Sequence, residues 1–450
     1  MGENAFAIGL GTKASGFSSV AEGARTNAEG SFSHAEGDAT IASGYAAHAQ
    51  GYGNTASGPY AHAEGWLNKA TGESSHAEGL ANVASGSSSH TEGTGTAASS
   101  TAAHAEGFTT IASGRYAHAQ GNSTNASGEN AHAEGSETIA SGLHAHAEGY
   151  KTHAASFATH AEGELTAATE SGAHAEGVDT VASHYFAHAE GGGTTASGAG
   201  AHAEGAYTTA SGFFSHAQGV YTTTNELTGA HIMGQYGAAD ALYSWFLANG
   251  DSTTPGLAAK ILYDGNAYID VAWNGGGADY AEMYETESGQ PIEPGCFVTF
   301  GASGDKIRVA QGSDRYILGI TSAAPGFVAG AGELRWQGKF QTDKWGRVLY
   351  QEVMIPQLAD KSGKVIQEAH VESRPVINPA FNPNSKYVAR DKRPEWVKVG
   401  LLGRMLVRDD GSLIPGGFCR PGQGGIAMAA VDGYKVLQRT DVDQALIVFR

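Results

Sequence analysis

One five-residue phrase returns at a strict interval through the first half of this chain, and that interval constrains the fold more than any other feature. The phrase is AHAEG at residues 61–65, and close variants of it place a histidine every fourteen residues from His34 to His216. No insertion interrupts the count over these fourteen histidines. Self-similarity at one fixed period is typical of a solenoid, in which each unit stacks on the next. We therefore expect residues 1–224 to form such a stack.

The repeating unit reads H-A-E-G-x-x-x-x-A-S-G-x-x-A and contains two short extended segments. Alternate side chains of a strand point to opposite faces, so the histidine and the glutamate share one face and the alanine between them lies on the other. A second alanine follows eight residues after most of the histidines, as at Ala42 and Ala56. A coil this short encloses only methyl-sized side chains, so we expect alanines in a thin interior and glycines at the corners. The pattern predicts an all-β chain whose first part is a narrow parallel β-solenoid.

An alanine interior gives each coil little hydrophobic stabilisation. Burying one methyl-sized side chain is worth ~1 kcal/mol, whereas ordering the backbone of one residue costs about 1–2 kcal/mol. A single chain of this kind is therefore expected to be marginally stable. Association with further copies is implied.

The face that carries histidine and glutamate has three possible interpretations. It could be a solvated surface, a metal site, or a ladder of hydrogen bonds between chains. A metal site needs three or four convergent ligands rather than one histidine per layer, so we expect no metal. We favour the inter-chain ladder, because removing both groups from water is tolerable only if they are paired; His62 is then predicted within hydrogen-bond reach of a carboxylate from another chain. The ladder comprises, among others, His34, His48, His62, His76, His104, His132, Glu36, Glu64, Glu78, Glu106 and Glu134.

Charge divides the chain into the same two parts as the repeat does. Residues 1–224 carry five Lys and Arg against 21 Asp and Glu, and residues 225–450 carry 22 against 25, which together give the net charge of −19. The acidic repeat makes nucleic acid and anionic membrane poor partners. No apolar run of twenty residues occurs and the first residues have no basic region ahead of an apolar one, so we expect neither membrane insertion nor a signal peptide.

The repeat resembles the head repeat of the YadA-like trimeric adhesins. The family's S-V-A-I-G phrase is matched at Phe6-Ala7-Ile8-Gly9. The resemblance implies a left-handed parallel β-roll in which three chains pack side by side. This chain departs from the family where the family has two apolar residues, since it carries His and Glu there, with Gln at positions 50, 120 and 218.

A connector is expected at residues 225–278. The period lapses after Gln218, and large residues such as Trp245 and Phe246 appear. Two β-prone runs joined at Asp264-Gly265 predict a hairpin. Three consecutive glycines at 275–277 then indicate a flexible break.

The segment ADYAEMYE at residues 278–285 follows that break and opens a β-rich region that we assign to residues 279–450. Together with CFVTF and RPEWVKVGLLGRMLVRDDG further along, it resembles the C-terminal autoproteolytic chaperone domain of phage tail spikes and neck appendages, the peptidase G2 type. That resemblance implies a domain that helps three chains assemble and then cuts itself N-terminal to an aspartate, with a glutamate three residues later required. Carried onto this sequence, the cleaved bond is Ala278–Asp279 and the catalytic pair is Asp279 and Glu282.

Two interpretations of this acidic pair remain open from the residues alone. Carboxylates at i and i+3 lie on one face of a helix, where one can activate water or attack while the other donates a proton to the leaving amide. The same D-x-x-E spacing is also a helix capping box, with Asp279 as the N-cap. Cys296 and Cys419 are not expected to act as nucleophiles, because no histidine lies near either in sequence and buried thiols are ordinarily inert.

The sequence therefore predicts a trimeric tail fibre of a phage or phage-derived particle, whose C-terminal domain aligns three chains and is released by self-cleavage. The expected partners are two further copies, a bacterial cell-surface receptor, either a glycan or a protein, and upstream tail components. Synthesis in the host cytoplasm and later incorporation in the particle are expected, with no cofactor. The alternative is a bacterial trimeric surface adhesin with no enzymatic activity, a class for which we would expect a secretion signal.

Overall fold

The computed structural model describes residues 1–332, 338–359, 363, 365–382, 384 and 386–450. It divides into two compact units, one formed by residues 1–271 with 357–368 and the other by residues 272–356 with 369–450. Throughout the described residues the secondary structure is β-strand apart from two short 3₁₀ turns, which confirms the predicted all-β class. None of the described residues forms a helix long and apolar enough to cross a membrane.

Each of the first fifteen coils of the first unit contains a five-residue strand followed by a two-residue strand. In chain order the strands up to the end of the connector are β1 (Phe6–Leu10), β2 (Lys13–Ala14), β3 (Val20–Ala24), β4 (Asn27–Ala28), β5 (His34–Asp38), β6 (Ile41–Ala42), β7 (His48–Tyr52), β8 (Thr55–Ala56), β9 (His62–Trp66), β10 (Lys69–Ala70), β11 (His76–Leu80), β12 (Val83–Ala84), β13 (His90–Thr94), β14 (Ala97–Ala98), β15 (His104–Phe108), β16 (Ile111–Ala112), β17 (His118–Asn122), β18 (Asn125–Ala126), β19 (His132–Ser136), β20 (Ile139–Ala140), β21 (His146–Tyr150), β22 (His153–Ala154), β23 (His160–Glu164), β24 (Ala167–Ala168), β25 (His174–Val178), β26 (Val181–Ala182), β27 (His188–Gly192), β28 (Thr195–Ala196), β29 (His202–Ala206), β30 (Thr209–Ala210), β31 (His216–Thr223), β32 (His231–Ala238), β33 (Trp245–Asn249), β34 (Leu257–Ile261) and β35 (Ala267–Ile269).

The coils stack in parallel with a register of one repeat. His34 pairs with His48 and Ala35 with Ala49, and the same offset of fourteen residues runs along both strand types. Ala35 and Ala42 are completely buried, because a strand whose alternate residues face a thin interior has room there only for a methyl group. The predicted parallel β-solenoid and its alanine interior are confirmed.

The repeated glycine of the HAEG phrase has the positive φ that other residues resist, as predicted, with a φ of +105° at Gly37. It also has a second role, because a Cβ on Gly37 would overlap the carbonyl oxygen of Gly51 in the next coil, so glycine is needed there for the coils to stack closely. The tight left-handed corners are held by glycine in some coils and in the others by residues such as Tyr60 (φ 58°) and Leu67 (φ 60°). Each costs about 1–2 kcal/mol in that conformation, and each donates its N–H to the preceding coil, Tyr60 to Tyr45 O at 2.7 Å. Hydrogen bonding between coils thus offsets the strain at the corners.

The stack extends beyond the predicted boundary at residue 224. Strands β31, β32 and β33 continue the parallel pairing, with Ile232 and Phe246 buried where earlier coils have alanine. The spacing widens once, because His231 follows His216 by fifteen residues, and this one-residue insertion conceals the repeat from a strict count. Antiparallel pairing of β34 with β35 confirms the hairpin predicted at Asp264-Gly265.

The second unit contains most of the remaining strands. The rest of the elements, in chain order, are β36 (Asp279–Glu285), β37 (Phe297–Phe300), β38 (Ile307–Val309), β39 (Gly319–Thr321), β40 (Phe327–Ala329), β41 (Tyr350–Ile355), β42 (Leu358–Ala359), β43 (Val365–Gln367), β44 (His370–Pro375), a 3₁₀ turn (Arg390–Lys392), β45 (Trp396–Arg408), β46 (Phe418–Pro421), a 3₁₀ turn (Gln423–Gly425), β47 (Ala427–Ala430), β48 (Tyr434–Asp441) and β49 (Gln444–Phe449).

A ten-stranded sheet organises this second unit around β45. The thirteen residues of β45 pair antiparallel with β36, β39 and β49, and β36 pairs in parallel with β40. The core beneath the sheet includes Phe297, Ile320, Val407 and Ile447, each at most 1% exposed. The long central strand therefore positions β36, which carries the acidic pair.

Candidate functional site

The segment with the acidic pair is a strand, so both helical interpretations of Asp279 and Glu282 are wrong. Residues Asp279–Glu285 form β36, antiparallel to β45. Ala281 and Met283 are buried at alternate positions, which is the period of a strand with one face on the core. Pairing of β36 with β45, more than a hundred residues later in the chain, determines that this segment is a strand. The local D-x-x-E pattern contains no information about that distant pairing.

As a consequence, the structure does not bring the two carboxylates together within one chain. Asp279 lies on the buried face and is 9% exposed, whereas Glu282 lies on the opposite face and is half-buried. Glu282 accepts hydrogen bonds from the hydroxyls of Tyr280 and Tyr284, each at 3.0 Å. Burial, followed by the hydrogen bond to Glu282, raises the pKa of Tyr284 to about 12.

The Asp279 carboxylate has an unpaired oxygen. Its Oδ2 is buried and has no hydrogen-bond partner among the residues that the structure describes. It lies against β45 at Gly400, where a Cβ would come within 3.0 Å of that oxygen and within 2.7 Å of the Met405 side chain. A buried carboxylate oxygen without a donor is uncommon and calls for an explanation.

The peptide between Ala278 and Asp279 is both accessible and fixed. Ala278 is exposed and lines a cleft of about 550 Å³ together with Asp279, Thr321 and Arg404. The Ala278 carbonyl oxygen accepts a hydrogen bond from the Arg404 backbone N–H at 3.3 Å, and the Asp279 carbonyl oxygen accepts one from the Gly326 N–H at 2.9 Å. Water can therefore reach a bond that is held on both sides.

The glycines ahead of this bond pack closely against another loop. A Cβ on Gly277 would overlap the backbone of Pro325 and Gly326, and one on Gly275 would overlap Gly326. The glycines predicted as a flexible break therefore approach another backbone closely, in the loop that leads into β40. This packing contributes to fixing the predicted scissile peptide.

Neither thiol of the second unit is suited to nucleophilic attack. Cys296 and Cys419 are buried. Burial raises the pKa of Cys296, and burial together with the nearby Asp409 raises the pKa of Cys419 to about 12. Since the thiolate is the reactive form, both residues are inert at neutral pH.

The histidine and glutamate face of the solenoid forms a row of histidines and a row of glutamates in which glutamine replaces glutamate in three coils. Imidazoles of successive coils stack, as for His34 and His48, whose ring centroids are 4.8 Å apart with planes 3° from parallel. Within one chain His62 Nε2 lies 3.8 Å from Glu64 Oε2, which is an ion-pair distance rather than a hydrogen bond. The inter-chain hydrogen bond expected of His62 stays a prediction.

Close packing within these rows shifts the pKa values of both histidines and glutamates. Burial, followed by the neighbouring histidines, lowers the pKa of His76. Hydrogen bonding to Glu64, followed by burial, raises the pKa of Glu78 to about 7. Groups such as Glu64, His76 and Glu78 place possible metal-ligand atoms within 4.8 Å of one another, so a cation could be held there. The side chains in these rows are partly exposed to solvent, 36% for His62 and 30% for Glu64.

Comparison with known proteins finds relatives of the second half of the chain. Residues 228–443 match the family described as Peptidase_G2, IMC autoproteolytic cleavage domain. The chain is 33% identical over 177 residues to the pre-neck appendage protein of Bacillus phage B103, which is 38% of this chain and 19% of that protein. It is 36% identical over 133 residues to the pre-neck appendage protein of Bacillus phage phi29, 30% of this chain and 14% of that protein.

The chain thus spans less than a fifth of the length of either appendage protein. Among solved structures, the C-terminal fragment of bacteriophage phi29 gene product 12 is 32% identical, with 38% of this chain and 100% of that fragment covered and a TM-score of 0.31. Residues 228–443 are thus similar to the Peptidase_G2 family, and the chain resembles the pre-neck appendage proteins of phages.

Proposed function

We propose that this chain is an appendage subunit of a phage or phage-derived particle, in which the C-terminal domain aligns three copies and then detaches by cutting the Ala278–Asp279 bond. One observation carries the proposal. The predicted scissile peptide lines an accessible cleft directly beside a buried carboxylate oxygen that has no hydrogen-bond partner in the described structure. A structural carboxylate would be expected to have its hydrogen bonds satisfied.

The chemistry needs a proton acceptor and a proton donor near the bond. An Asp279 oxygen that accepts no hydrogen bond is free to take a proton from water or to attack the adjacent carbonyl carbon. A second carboxyl group must then assist the departing amide nitrogen, and Glu282 is the residue that the Peptidase_G2 resemblance implies. The two carboxyl groups act as a pair, and their different environments give them different roles.

The opposite orientations of the pair support a site that is shared between chains. Glu282 points to the face of the sheet on which Tyr280, Phe327 and Leu402 are 38%, 51% and 57% exposed. A half-buried carboxylate framed by exposed apolar side chains suits contact with a second copy. We infer that Glu282 of one chain completes the site of its neighbour, which makes cleavage conditional on assembly.

Three copies are also favoured by the solenoid. Its interior consists largely of alanine, so burial within one chain contributes little per coil. The imidazole Nε2 atoms of the ladder have no hydrogen bond within the described chain, as at His62 and His76, and the His62 side chain is 36% exposed. We propose that packing three solenoids side by side brings the exposed part of these rings within reach of a carboxylate from the neighbouring chain.

The outer surface of the solenoid is the part proposed to contact the bacterial surface. Aromatic side chains are exposed along it, among them Tyr60 at 57%, Trp66 at 56% and Phe108 at 55%. Such rings combine apolar faces with polar edges and are enriched at recognition surfaces. A cell-surface glycan or protein is the proposed receptor, and other components of the particle are the proposed attachment partners, with synthesis in the host cytoplasm and incorporation afterwards.

The proposal is tested by the intact mass of three purified full-length proteins. Wild type is expected to yield two fragments, Glu282→Gln a single intact chain, and Glu285→Gln two fragments again. Glu285 is the matched control because it is the same residue type in the same strand and pairs with Lys306 at 2.7 Å. An intact wild type, or equal cleavage of Glu282→Gln and wild type, contradicts the proposal.

Sharing of the site is tested by producing an Asp279→Asn chain and a Glu282→Gln chain together, each with a different tag. Neither is expected to be cut alone. In the mixture, the Glu282→Gln chain retains Asp279 and can receive Glu282 from its neighbour, so that chain alone is expected to be cut. Absence of cleavage in mixed assemblies would assign both carboxylates to one chain.

A further inference from the structure

The backbone of β45 touches the predicted scissile peptide at one point. The Ala278 carbonyl oxygen accepts a hydrogen bond from the Arg404 N–H at 3.3 Å. At the preceding residue, Gly403, a Cβ would overlap that same oxygen and come within 2.8 Å of the Asp279 Cα. Gly403 also has a φ of +128°, which other residues rarely adopt. The backbone of β45 therefore lies directly against the Ala278–Asp279 peptide, and this close approach is possible because residue 403 is glycine.

An irregularity in the pairing of β36 with β45 lies beside this contact. Asp279 pairs with Gly403 and Tyr280 with Leu402, but Ala281 pairs with Gly400, so Leu401 is an extra residue in β45. A bulge of this kind bends the strand and changes the direction of the groups beside it, and bulges are frequent next to active sites. On its other edge β45 pairs regularly with β49, Arg404 opposite Val448, which holds the Arg404 amide in a fixed direction.

The geometry points to the Arg404 backbone N–H as the donor that stabilises the oxyanion at Ala278 O during self-cleavage, with Gly403 as the residue that positions it. This inference rests on the proposed cleavage of the Ala278–Asp279 bond. A distance of 3.3 Å is long for a neutral carbonyl, and such a bond gains strength as negative charge develops on the oxygen. The donor is already oriented by the sheet, so no reorganisation is needed when the charge forms.

The step balances with water as the only co-reactant. The water oxygen adds to the Ala278 carbonyl carbon while a carboxylate of the acidic pair takes its proton, and the carbonyl oxygen becomes the oxyanion facing Arg404 N–H. The C–N bond then breaks, and the nitrogen of Asp279 takes a proton from a carboxyl group. The products are a carboxylate at Ala278 and an amine at Asp279. The Gly326 N–H, bound to Asp279 O at 2.9 Å, holds the other side of the peptide through both stages.

The test is the cleavage rate of Gly403→Ala in the full-length protein, followed by intact mass over time. The added methyl pushes Ala278 O away from the Arg404 amide, so cleavage is expected to slow by about 100-fold, the effect of losing one oxyanion donor. The matched control is Gly411→Ala, because Gly411 has a φ of +93° but nothing within 4 Å of a Cβ. Backbone strain is thus common to both variants, and only Gly403→Ala disturbs the bond.

A pH profile separates this role from general damage to the fold. An N–H does not titrate, so the slowing in Gly403→Ala is expected to be the same at every pH, with unchanged midpoints and a melting temperature close to that of Gly411→Ala. Cleavage of Gly403→Ala at the wild-type rate overturns the inference while leaving the proposed function standing. An uncut wild type overturns the proposed function itself.

A second variant decides the matter if Gly403→Ala does not fold. Incorporating the α-hydroxy analogue of the residue at position 404 replaces its amide N–H with an ester oxygen and leaves the shape of the strand unchanged. The same slowing of about 100-fold is expected. Cleavage of the ester-containing chain at the wild-type rate overturns the assignment of Arg404.

Discussion

Asp279 and Glu282 lie three residues apart in β36 with their carboxyl groups on opposite faces of the sheet. Asp279 lies beside the Ala278 peptide in the cleft, and Glu282 is held on the other face by two tyrosine hydroxyls. A strand of alternating side chains imposes this separation. Direct cooperation of the pair is therefore proposed to use the Glu282 of another copy of the chain.

The charge of Glu282 is expected to control the ionisation of Tyr284. The Tyr284 pKa is raised to about 12 by burial and by its hydrogen bond to Glu282. Glu282→Gln removes the negative charge, so tyrosinate at position 284 forms at lower pH. The measurement is the near-ultraviolet absorbance during alkaline titration, with Glu285→Gln as the control that leaves the Tyr284 transition in place. An unchanged transition in Glu282→Gln would contradict the described contact.

Two adjacent alanines of β14 are expected to differ sharply in what they tolerate. Ala98 faces the interior and is completely buried, so Ala98→Val overpacks the coil and should lower the free energy of unfolding by about 1–3 kcal/mol. Ala97 faces outward, and the equivalent position is Val83 in the preceding coil, so Ala97→Val should have little effect. Urea unfolding measures both variants. Equal destabilisation by the two would contradict the interior as described.

Acid is expected to destabilise the solenoid through its histidine row. Burial, followed by the neighbouring histidines, lowers the pKa of His216 from 6.5 to about 4. The unfolded chain therefore binds more protons than the folded one between these pH values, so stability falls as pH drops from 6.5 to 4 and levels off below. The raised pKa values of Glu78, about 7, and of Glu106 act in the opposite direction.

His216→Gln provides the check on this pH dependence. Urea unfolding at several pH values between 6.5 and 4 is expected to show a shallower loss of stability for His216→Gln than for wild type, since one group with a lowered pKa is gone. Identical slopes for the two proteins would show that His216 does not contribute to acid destabilisation.

The ladder between chains makes a structural prediction at His62. In an experimental structure of the assembled protein, His62 is expected within hydrogen-bond distance of a carboxylate from a neighbouring chain. Within the described chain its Nε2 has no hydrogen bond, and its side chain is 36% exposed, so a neighbouring carboxylate can approach the ring. An assembled solenoid in which His62 is fully hydrated would contradict the ladder.

The sequence predicts the solenoid well because each coil has the same neighbours as the next. The inward alanines, the fourteen-residue register and the hairpin at Asp264-Gly265 all follow from local pattern. The continuation of the stack past residue 224 was missed because a one-residue insertion precedes His231. Its signal was present in the AHIMG phrase at 230–234, which repeats the register once the insertion is allowed.

The site was harder to predict because it depends on contacts between distant segments. The acidic pair has a spacing compatible with a helix, and only pairing of β36 with β45 makes it a strand. Likewise, nothing local to Gly403 and Arg404 indicates that they meet the Ala278 carbonyl. The scissile bond itself is predicted from the family resemblance, and the geometry around it comes from the tertiary structure.

The most direct test of this account is the N-terminal sequence and mass of the smaller fragment from purified wild-type protein. Self-cleavage predicts a fragment that begins Asp-Tyr-Ala-Glu, with the remaining product ending at Ala278. An intact chain, or a break at any other bond, would contradict the account.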